Sequence, residues 1–131
     1  MKQVCIDTHA IVFLLRRPKR LGPIAARVLR SADAGRTEVL IPAISVAELA
    51  LLSEAGRDVV SPVQIEALVA QNPSFRMLPL DLSQCLEFAL LGALRDPFDR
   101  LIVAAARTAD VPLVTADETI RASGLVEALW D

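Results

Sequence analysis

The sequence predicts an α/β fold, a three-layer sandwich whose central sheet is mainly parallel. Two observations carry this prediction. Short apolar runs typical of buried strands alternate along the chain with longer segments that have helix start and stop signals. The first and the last strong strand candidates are continuous apolar runs, as expected for parallel strands covered on both faces, and an aspartate follows each closely. We expect one domain, residues 1–131.

The first third of the chain predicts one strand and two helices. Residues 4–6, Val-Cys-Ile, form a short strand that stops at Asp7. Residues 8–15 form a helix, which Pro18 and the basic residues around it end. A second helix begins at Gly22-Pro23 and runs to about residue 32.

The middle third predicts two strands and two helices. Residues 38–41 form a strand that Pro42 ends, and residues 75–80 form another with weaker alternation. A helix opens at Ser45, where Ser45 and Glu48 have the S-x-x-E spacing of a capping box. Residues 56–58 form a turn, and the next helix starts at Ser61-Pro62 and ends near residue 71.

The last third predicts a helix over residues 83–92, with Leu86, Leu90 and Leu91 facing inward. A second helix starts with Asp96 as N-cap and Pro97 in the first helical position. It is apolar around most of its circumference, so it should be largely buried. A strand over residues 111–115 precedes Asp117, and residues 126–129 form an edge strand.

Composition excludes some classes of nucleic-acid-binding protein. The formal net charge is −2 and the pI is about 5.4, so bulk positive charge does not hold a nucleic acid. Aromatic residues make up 4% of the chain and Tyr is absent, which argues against a base-stacking platform. A local basic cluster, Arg16, Arg17, Lys19 and Arg20, is most simply a solvated face.

Cysteine usage and hydropathy predict a cytoplasmic protein. Cys5 and Cys85 lie in apolar contexts without C-x-x-C spacing, so we expect buried thiols in a reducing compartment. The N-terminus has the pattern of a strand rather than a signal peptide, and no run approaches the roughly 20 apolar residues of a membrane span.

Acidic residues follow several predicted elements at one edge of the sheet. Asp7 and Asp117 come after strands, and Glu48 and Asp99 lie in the first turns of predicted helices. In open parallel sheets, ligands bind outside the carboxyl ends of the strands. Four clustered carboxylates would repel one another, so a cation should lie between them. Oxygen ligands without Cys or several His favour Mg²⁺ or Mn²⁺ over zinc.

This ligand set predicts metal-dependent hydrolysis of phosphodiesters. Mg²⁺ held by few carboxylates keeps bound water, and such a water can attack a phosphodiester. The predicted catalytic metal ligands are Asp7, Glu48, Asp99 and Asp117.

Each of these residues also has a purely structural interpretation. Glu48 fits the capping box, Asp117 a turn or cap, and Asp96 the N-cap of its helix. Asp99 would complement the helix dipole, an effect of roughly 0.3–1 kcal/mol. The only histidine, His9, is either structural or at the rim of the site. Two arginines near the acids, Arg95 and Arg100, would contact either phosphate oxygens or neighbouring carboxylates.

Four segments, in this order and spacing, carry a resemblance that covers essentially the whole chain. They are Ile6-Asp7-Thr8-His9-Ala10, Ile44-Ser45-Val46-Ala47-Glu48-Leu49, Asp96-Pro97-Phe98-Asp99-Arg100-Leu101-Ile102-Val103-Ala104 and Leu113-Val114-Thr115-Ala116-Asp117. Together they resemble the PIN domain, and within it the VapC-type toxins of bacterial toxin–antitoxin pairs. The sequence departs from this family at Leu94, where many relatives have His, and at Ala47, where an aromatic residue is common.

The resemblance implies a Mg²⁺- or Mn²⁺-dependent endoribonuclease that cleaves RNA. It implies metal binding by Asp7, Glu48, Asp99 and Asp117, with Asp96 as a fifth candidate. It also implies a homodimer that a cognate antitoxin protein inhibits. The alternative is a PIN-like protein-binding module that has lost catalysis, but the presence of all four acids argues against it. A haloacid-dehalogenase-like enzyme would need a second Asp where this chain has His9.

Overall fold

The protein is a mixed α/β fold built on a five-stranded parallel sheet, as predicted. The computed structural model describes residues 2–57 and 59–131. Within them the strand order is β3-β2-β1-β4-β5, and every neighbouring pair is parallel. The strands are β1 (Lys2–Ile6), β2 (Thr37–Pro42), β3 (Phe75–Leu78), β4 (Leu113–Val114) and β5 (Ala128–Leu129).

Helices cover both faces of this sheet. They are α1 (Thr8–Arg16), α2 (Pro23–Asp33), α3 (Ala43–Glu54), α4 (Pro62–Gln71), α5 (Leu82–Phe88), α6 (Pro97–Ala109) and α7 (Glu118–Ser123), with a 3₁₀ turn at Pro18–Arg20.

Alternating side chains of the central strand face two separate cores. Val4 and Ile6 of β1 pack in one core, which also contains buried residues of α1 to α4. Cys5 points into the other core, which contains residues 102–106 of α6 and Ile120 of α7. Both faces of β1 are therefore apolar, which explains why its sequence is a continuous apolar run.

Two helix starts match their sequence signals. Ser61 caps α4 in a capping box with Gln64, and Pro62 follows it. Asp96 caps α6, with Pro97 in the first helical position. At its other end, α6 stops at Asp110, whose left-handed backbone (φ 56°) breaks the helix.

The predicted inward face of α5 is wrong. Leu86 and Leu90 are 64% and 74% exposed, and only Leu91 is buried. Instead, α5 turns Gln84 inward, and the Gln84 amide donates a 2.8 Å hydrogen bond to the Pro79 carbonyl. Helix α5 ends at Phe88 rather than at residue 92, and its own leucines, Leu82 and Leu86, lie on the outside.

The two cysteines differ, and only one is a buried thiol as expected. Cys5 is fully buried, and burial raises the pKa of its thiol to about 12. Cys85 is exposed on α5, so the expectation that it is buried is wrong.

The predicted turn at residues 56–58 is only partly described. Gly56 has a left-handed backbone (φ 79°), as a turn requires, and Asp58 lies outside the described residues. None of the helices in the described ranges is long and apolar enough to cross a membrane.

The C-terminal residues cap α2. Gly22 at the N-cap provides no side chain, and the Trp130 carbonyl instead accepts hydrogen bonds from the backbone N–H groups of Ile24 (3.0 Å) and Ala25 (3.2 Å). The Trp130 ring packs near Phe13, with 6.0 Å between ring centroids. The start of α2 therefore depends on the position of Trp130.

Candidate metal-binding carboxylate site

Two of the predicted acids lie at the carboxyl ends of neighbouring strands. Asp7 directly follows β1 and caps α1, its Oδ1 accepting from the His9 N–H (2.9 Å). Asp117 follows β4 and caps α7, its Oδ1 accepting from the Ile120 N–H (2.9 Å). Because β1 and β4 pair in parallel, both acids lie at the same edge of the sheet.

Thr115 connects these two acids. Its hydroxyl donates a hydrogen bond to Asp7 Oδ2, and its oxygen accepts one from the Asp117 N–H (3.1 Å). The sequence interpretation assigned no role to Thr115. The only signal was the spacing, because a Thr two residues before a helix N-cap often bonds to the following backbone.

Asp96 and Asp99 are both in the first turn region of α6. Asp96 Oδ1 accepts from the N–H groups of Phe98 (2.8 Å) and Asp99 (3.1 Å), which establishes its capping role. Asp99 is the third residue of α6, and its carboxylate takes no part in this capping. Since α6 packs against β1 and α3, the start of α6 lies beside the other acids.

Glu48 does not take part in a capping box. Helix α3 begins at Ala43, directly after Pro42, and has no side-chain cap. Ser45 is therefore inside the first turn, and Glu48 lies in the second turn rather than the first. The prediction failed because β2 leads into α3 without the intervening loop that an N-cap at Ser45 would need.

The five carboxylates interact electrostatically. Burial raises the pKa of Asp99 to about 7, and repulsion from Asp117, Asp96, Asp7 and Glu48 adds to the shift. Burial is also the main cause that raises the pKa of Glu48 and of Asp7, and each has other acids among its further causes. Because these carboxylates are close enough to shift one another's pKa, Asp7, Glu48, Asp96, Asp99 and Asp117 form one electronegative region.

The donor set of this region fits a hard divalent cation. It consists of carboxylate oxygens, the ligands that Mg²⁺ and Mn²⁺ prefer. The Thr8 hydroxyl beside Glu48 is buried and makes no hydrogen bond of normal geometry, although its proximity lowers the pKa of Glu48. It can therefore bond to a water molecule on a cation.

The region is not a preformed ligand cage. Over residues 2–57 and 59–131, no three acidic, His or Cys side chains are arranged closely enough to hold a metal ion. A bound cation would reduce the electrostatic repulsion between these carboxylates.

His9 lies at the rim of the region. It is exposed, and its imidazole, when protonated, lowers the pKa of both Asp7 and Glu48 by Coulombic attraction. No hydrogen bond of its imidazole is found in the described part of the chain, which matches the rim position among the predicted alternatives.

The two arginines near the acids have different environments. Arg100 donates to the carbonyl oxygens of Leu94 and Gly92 and covers the Phe88 ring at 5.0 Å. It holds the segment before α6, and among residues 2–57 and 59–131 it forms no ion pair with an acid. Arg95 is exposed, and no ion pair of its guanidinium is found among the described residues, so it is available for a phosphate.

We expect Asp96→Ala to lower the free energy of unfolding by about 1 kcal/mol, because the Phe98 and Asp99 N–H groups lose their acceptor. Asp96→Ser should restore most of this loss, since Ser is a good N-cap without charge. Urea unfolding of both variants without metal provides the comparison. Equal instability of the two would show that the charge, and not the cap, is what α6 requires.

A comparison with models of protein families identifies the family of this chain. The family model of the PIN domain matches residues 4–124. No curated protein matches the chain. Similar solved structures include VapBC2 from Rickettsia felis bound to a promoter DNA fragment (TM-score 0.71, 16% identity, 98% of this chain and 99% of that chain covered).

Two further structures resemble the chain over nearly its whole length. FitAcB from Neisseria gonorrhoeae has a TM-score of 0.64 at 22% identity, with 95% of each chain covered. A toxin–antitoxin complex from Klebsiella pneumoniae has a TM-score of 0.61 at 15% identity, with 94% of each chain covered. These likenesses concern the fold, and the family model covers most of the sequence. The chain therefore belongs to the PIN domain family, whose members are generally nucleases.

Proposed function

We propose that this protein is a Mg²⁺- or Mn²⁺-dependent endoribonuclease, the VapC-type toxin of a toxin–antitoxin pair. The observation that carries the proposal is the placement of the acids: Asp7 and Asp117 follow neighbouring parallel strands, Thr115 connects them by hydrogen bonds, and α6, which carries Asp99, packs against β1. Burial, together with repulsion from four other carboxylates, raises the pKa of Asp99 to about 7. A helix cap or a dipole partner needs no such cluster. In the proposal, residues 1–131 form one domain that acts in the cytoplasm.

Asp7, Glu48, Asp99 and Asp117 would hold the cation, and Asp96 is the least suited because its Oδ1 already accepts two N–H groups. The cation, when bound, supplies a Lewis acid and an activated water. Thr115 orients Asp7 through a hydrogen bond, so that Asp7 presents a fixed carboxylate. The buried Thr8 hydroxyl, whose interaction with Glu48 lowers the pKa of that carboxyl group, would orient Glu48 or a water in the site.

The RNA strand would lie across the exposed rim of this region. Arg95 is free there to contact a phosphate beside the scissile bond, whereas Arg100 is held by backbone carbonyls. A guanidinium offers paired N–H donors that match a phosphate. We therefore assign substrate positioning to Arg95 and a structural role to Arg100.

A cognate antitoxin and a homodimer complete the proposal. The structural likeness to the Klebsiella pneumoniae toxin–antitoxin complex supports an antitoxin partner.

An apolar stripe on the surface supports the homodimer. It consists of three leucines spaced four residues apart in and after α5, Leu82, Leu86 and Leu90, which are 74%, 64% and 74% exposed. A second copy would bury this apolar stripe, which is unusual on the surface of a monomer.

Metal binding should depend on pH in a direction that follows from Asp99. Its pKa is raised to about 7, so below pH 7 a proton competes with the cation for this carboxylate. We expect the apparent affinity for Mn²⁺ to rise by up to about tenfold per pH unit between pH 5.5 and 7, and then to level off. Isothermal titration calorimetry at several pH values measures this slope.

The Asp99→Asn variant serves as the reference for that titration. It should bind Mn²⁺ weakly and with a much smaller pH slope, because the titrating ligand is gone. A folded wild-type protein that binds no Mn²⁺ at any pH would contradict the proposal and favour the alternative, a PIN-like protein-binding module without catalysis.

A further inference from the structure

A cavity with the opposite charge lies at the other edge of the sheet. It has a volume of about 550 Å³ and lies at the amino ends of β1 and β2, where Lys2 pairs with Thr37. The carboxylates lie at the carboxyl ends of the same sheet. Four cations from three parts of the chain line the cavity: Lys2, Arg27, Arg30 and Arg36.

These four cations are not neutralised within the described part of the chain. None of them takes part in an ion pair or a side-chain hydrogen bond there. The acids nearest in sequence have other partners: Glu38 accepts from Gln3 and Arg76, and Asp33 accepts from Asn72. Asp110 and Glu127 line an adjoining cavity that shares Lys2 with this one, and neither lines the basic cavity itself. Four unpaired positive charges around one cavity repel one another, and a bound anion would relieve that repulsion.

The cavity also contains a hydroxyl donor. Ser31 Oγ and Thr37 Oγ1 are 2.8 Å apart and share one hydrogen bond, so the second hydroxyl hydrogen remains available. Both residues line the cavity. Guanidinium, ammonium and hydroxyl donors without a carboxylate form a lining that suits an oxyanion.

We propose that this basic cavity binds the phosphate backbone of the RNA substrate, away from the site of cleavage. The inference rests on the proposed ribonuclease function. A nucleic acid carries a charge on every residue, so consecutive phosphates match several cations in one cavity, whereas a peptide would need a run of acids. The net charge of −2 makes this positive region a local feature of the surface.

The distance between the two sites indicates the length of a stacked strand that reaches both. Five residue steps along β1 separate Lys2 from Asp7, which is about 17 Å at the rise of a parallel strand. At about 3.4 Å per stacked nucleotide, a stacked strand of about five nucleotides spans this distance. A hairpin RNA of some 25 nucleotides should therefore engage both sites, and a tetranucleotide only one.

The test is metal-free RNA binding by Arg27→Gln/Arg36→Gln, measured by fluorescence anisotropy with a labelled hairpin RNA in EDTA. The matched control is Arg17→Gln/Lys19→Gln, which loses the same charge from exposed residues outside the cavity. We expect the cavity variant to bind at least about tenfold more weakly, and its slope of log affinity against log salt to be shallower by about 1.5. The control should change affinity less than threefold, and the tetranucleotide, whose phosphates the cavity can hold by itself, should also bind the cavity variant more weakly than the control variant.

Two outcomes would overturn the inference. An equal loss in both variants would show that RNA responds only to net charge. The second is that the wild type binds poly-glutamate and not RNA, and that the cavity variant loses this binding. The cavity would then be assigned to an acidic protein partner. Asp99→Asn should bind RNA in EDTA at least as well as wild type. If cleavage fails while this cavity-dependent binding persists, the nuclease proposal is wrong and the phosphate site stands.

Discussion

Replacing Asp99 with Asn is expected to reduce RNA cleavage at least about 100-fold, and yet to make the metal-free protein more stable at pH 8. The loss of activity follows from the loss of a proposed metal ligand, since even residues that only support such ligands change activity 10- to 100-fold. The gain in stability follows from repulsion by four other carboxylates, which Asn removes.

The pH dependence of this gain has a definite sign. Because the pKa of Asp99 is raised from 3.8 to about 7, the native state holds a proton that the unfolded state releases between these values. The wild type therefore loses stability as the pH rises from about 4 to 7, and the variant does not. After allowance for solvent screening and for the lost dipole interaction, we expect a net gain of about 1 kcal/mol at pH 8 and little change at pH 4.

Chemical unfolding at both pH values, with and without Mn²⁺, measures these effects. Mn²⁺ should stabilise the wild type by linkage and leave Asp99→Asn nearly unchanged. Asp110→Asn is the matched control, because Asp110 ends the same helix in a left-handed conformation that Asn tolerates. A clear loss of metal-free stability in Asp99→Asn would instead assign Asp99 to the helix dipole alone.

Gly22→Ala is expected to destabilise the protein by about 2–4 kcal/mol. A Cβ at this position would lie 2.3 Å from the Trp130 carbonyl oxygen, which is backbone and cannot rotate away. Trp130 would have to move, and the Ile24 and Ala25 N–H groups would lose their acceptor. Overpacking and a lost helix cap both contribute to the cost.

Differential scanning calorimetry should show a Tm lower by about 10 °C for Gly22→Ala. Gly92→Ala is the control, since nothing lies within 4 Å of a Cβ there, and it should shift stability by less than about 0.5 kcal/mol. Equal Tm values for the two variants would mean that Trp130 does not cap α2 in solution.

Much of the fold could be predicted because local signals agreed with tertiary burial. The apolar run before Asp7 is buried on both faces of β1, and the Ser61 and Asp96 caps start α4 and α6 as expected. The order of the strands could not be derived, because it depends on which crossovers pack best and leaves no local pattern in the sequence.

The errors arose where one local pattern allowed two structures. The S-x-x-E spacing at Ser45 and Glu48 is the same whether Ser45 precedes α3 or lies in its first turn, and only the direct continuation of β2 into α3 decides. The leucines of α5 have helical spacing whether they face a core or solvent. In each case the missing information was the position of a neighbouring element.

The positions of the candidate site residues in the fold were easier to predict than the hydrogen bonds between them. Strand ends and helix starts predicted where Asp7, Asp99 and Asp117 lie, and their role as metal ligands stays a prediction. The link through Thr115 needs coordinates. The different environments of Arg95 and Arg100 also emerge only from the structure, since the carbonyls that hold Arg100 lie six and eight residues before it.

The most direct test of the central claim is an RNA-cleavage assay with purified, partner-free wild-type protein and a mixed structured-RNA substrate. The assay is run with Mg²⁺ or Mn²⁺ and with EDTA, and the folded variants Asp7→Asn and Asp99→Asn are assayed beside the wild type. The proposed mechanism predicts cleavage that requires the metal and that both variants lose. Cleavage that persists in EDTA or in either variant would contradict a carboxylate-bound metal as its source.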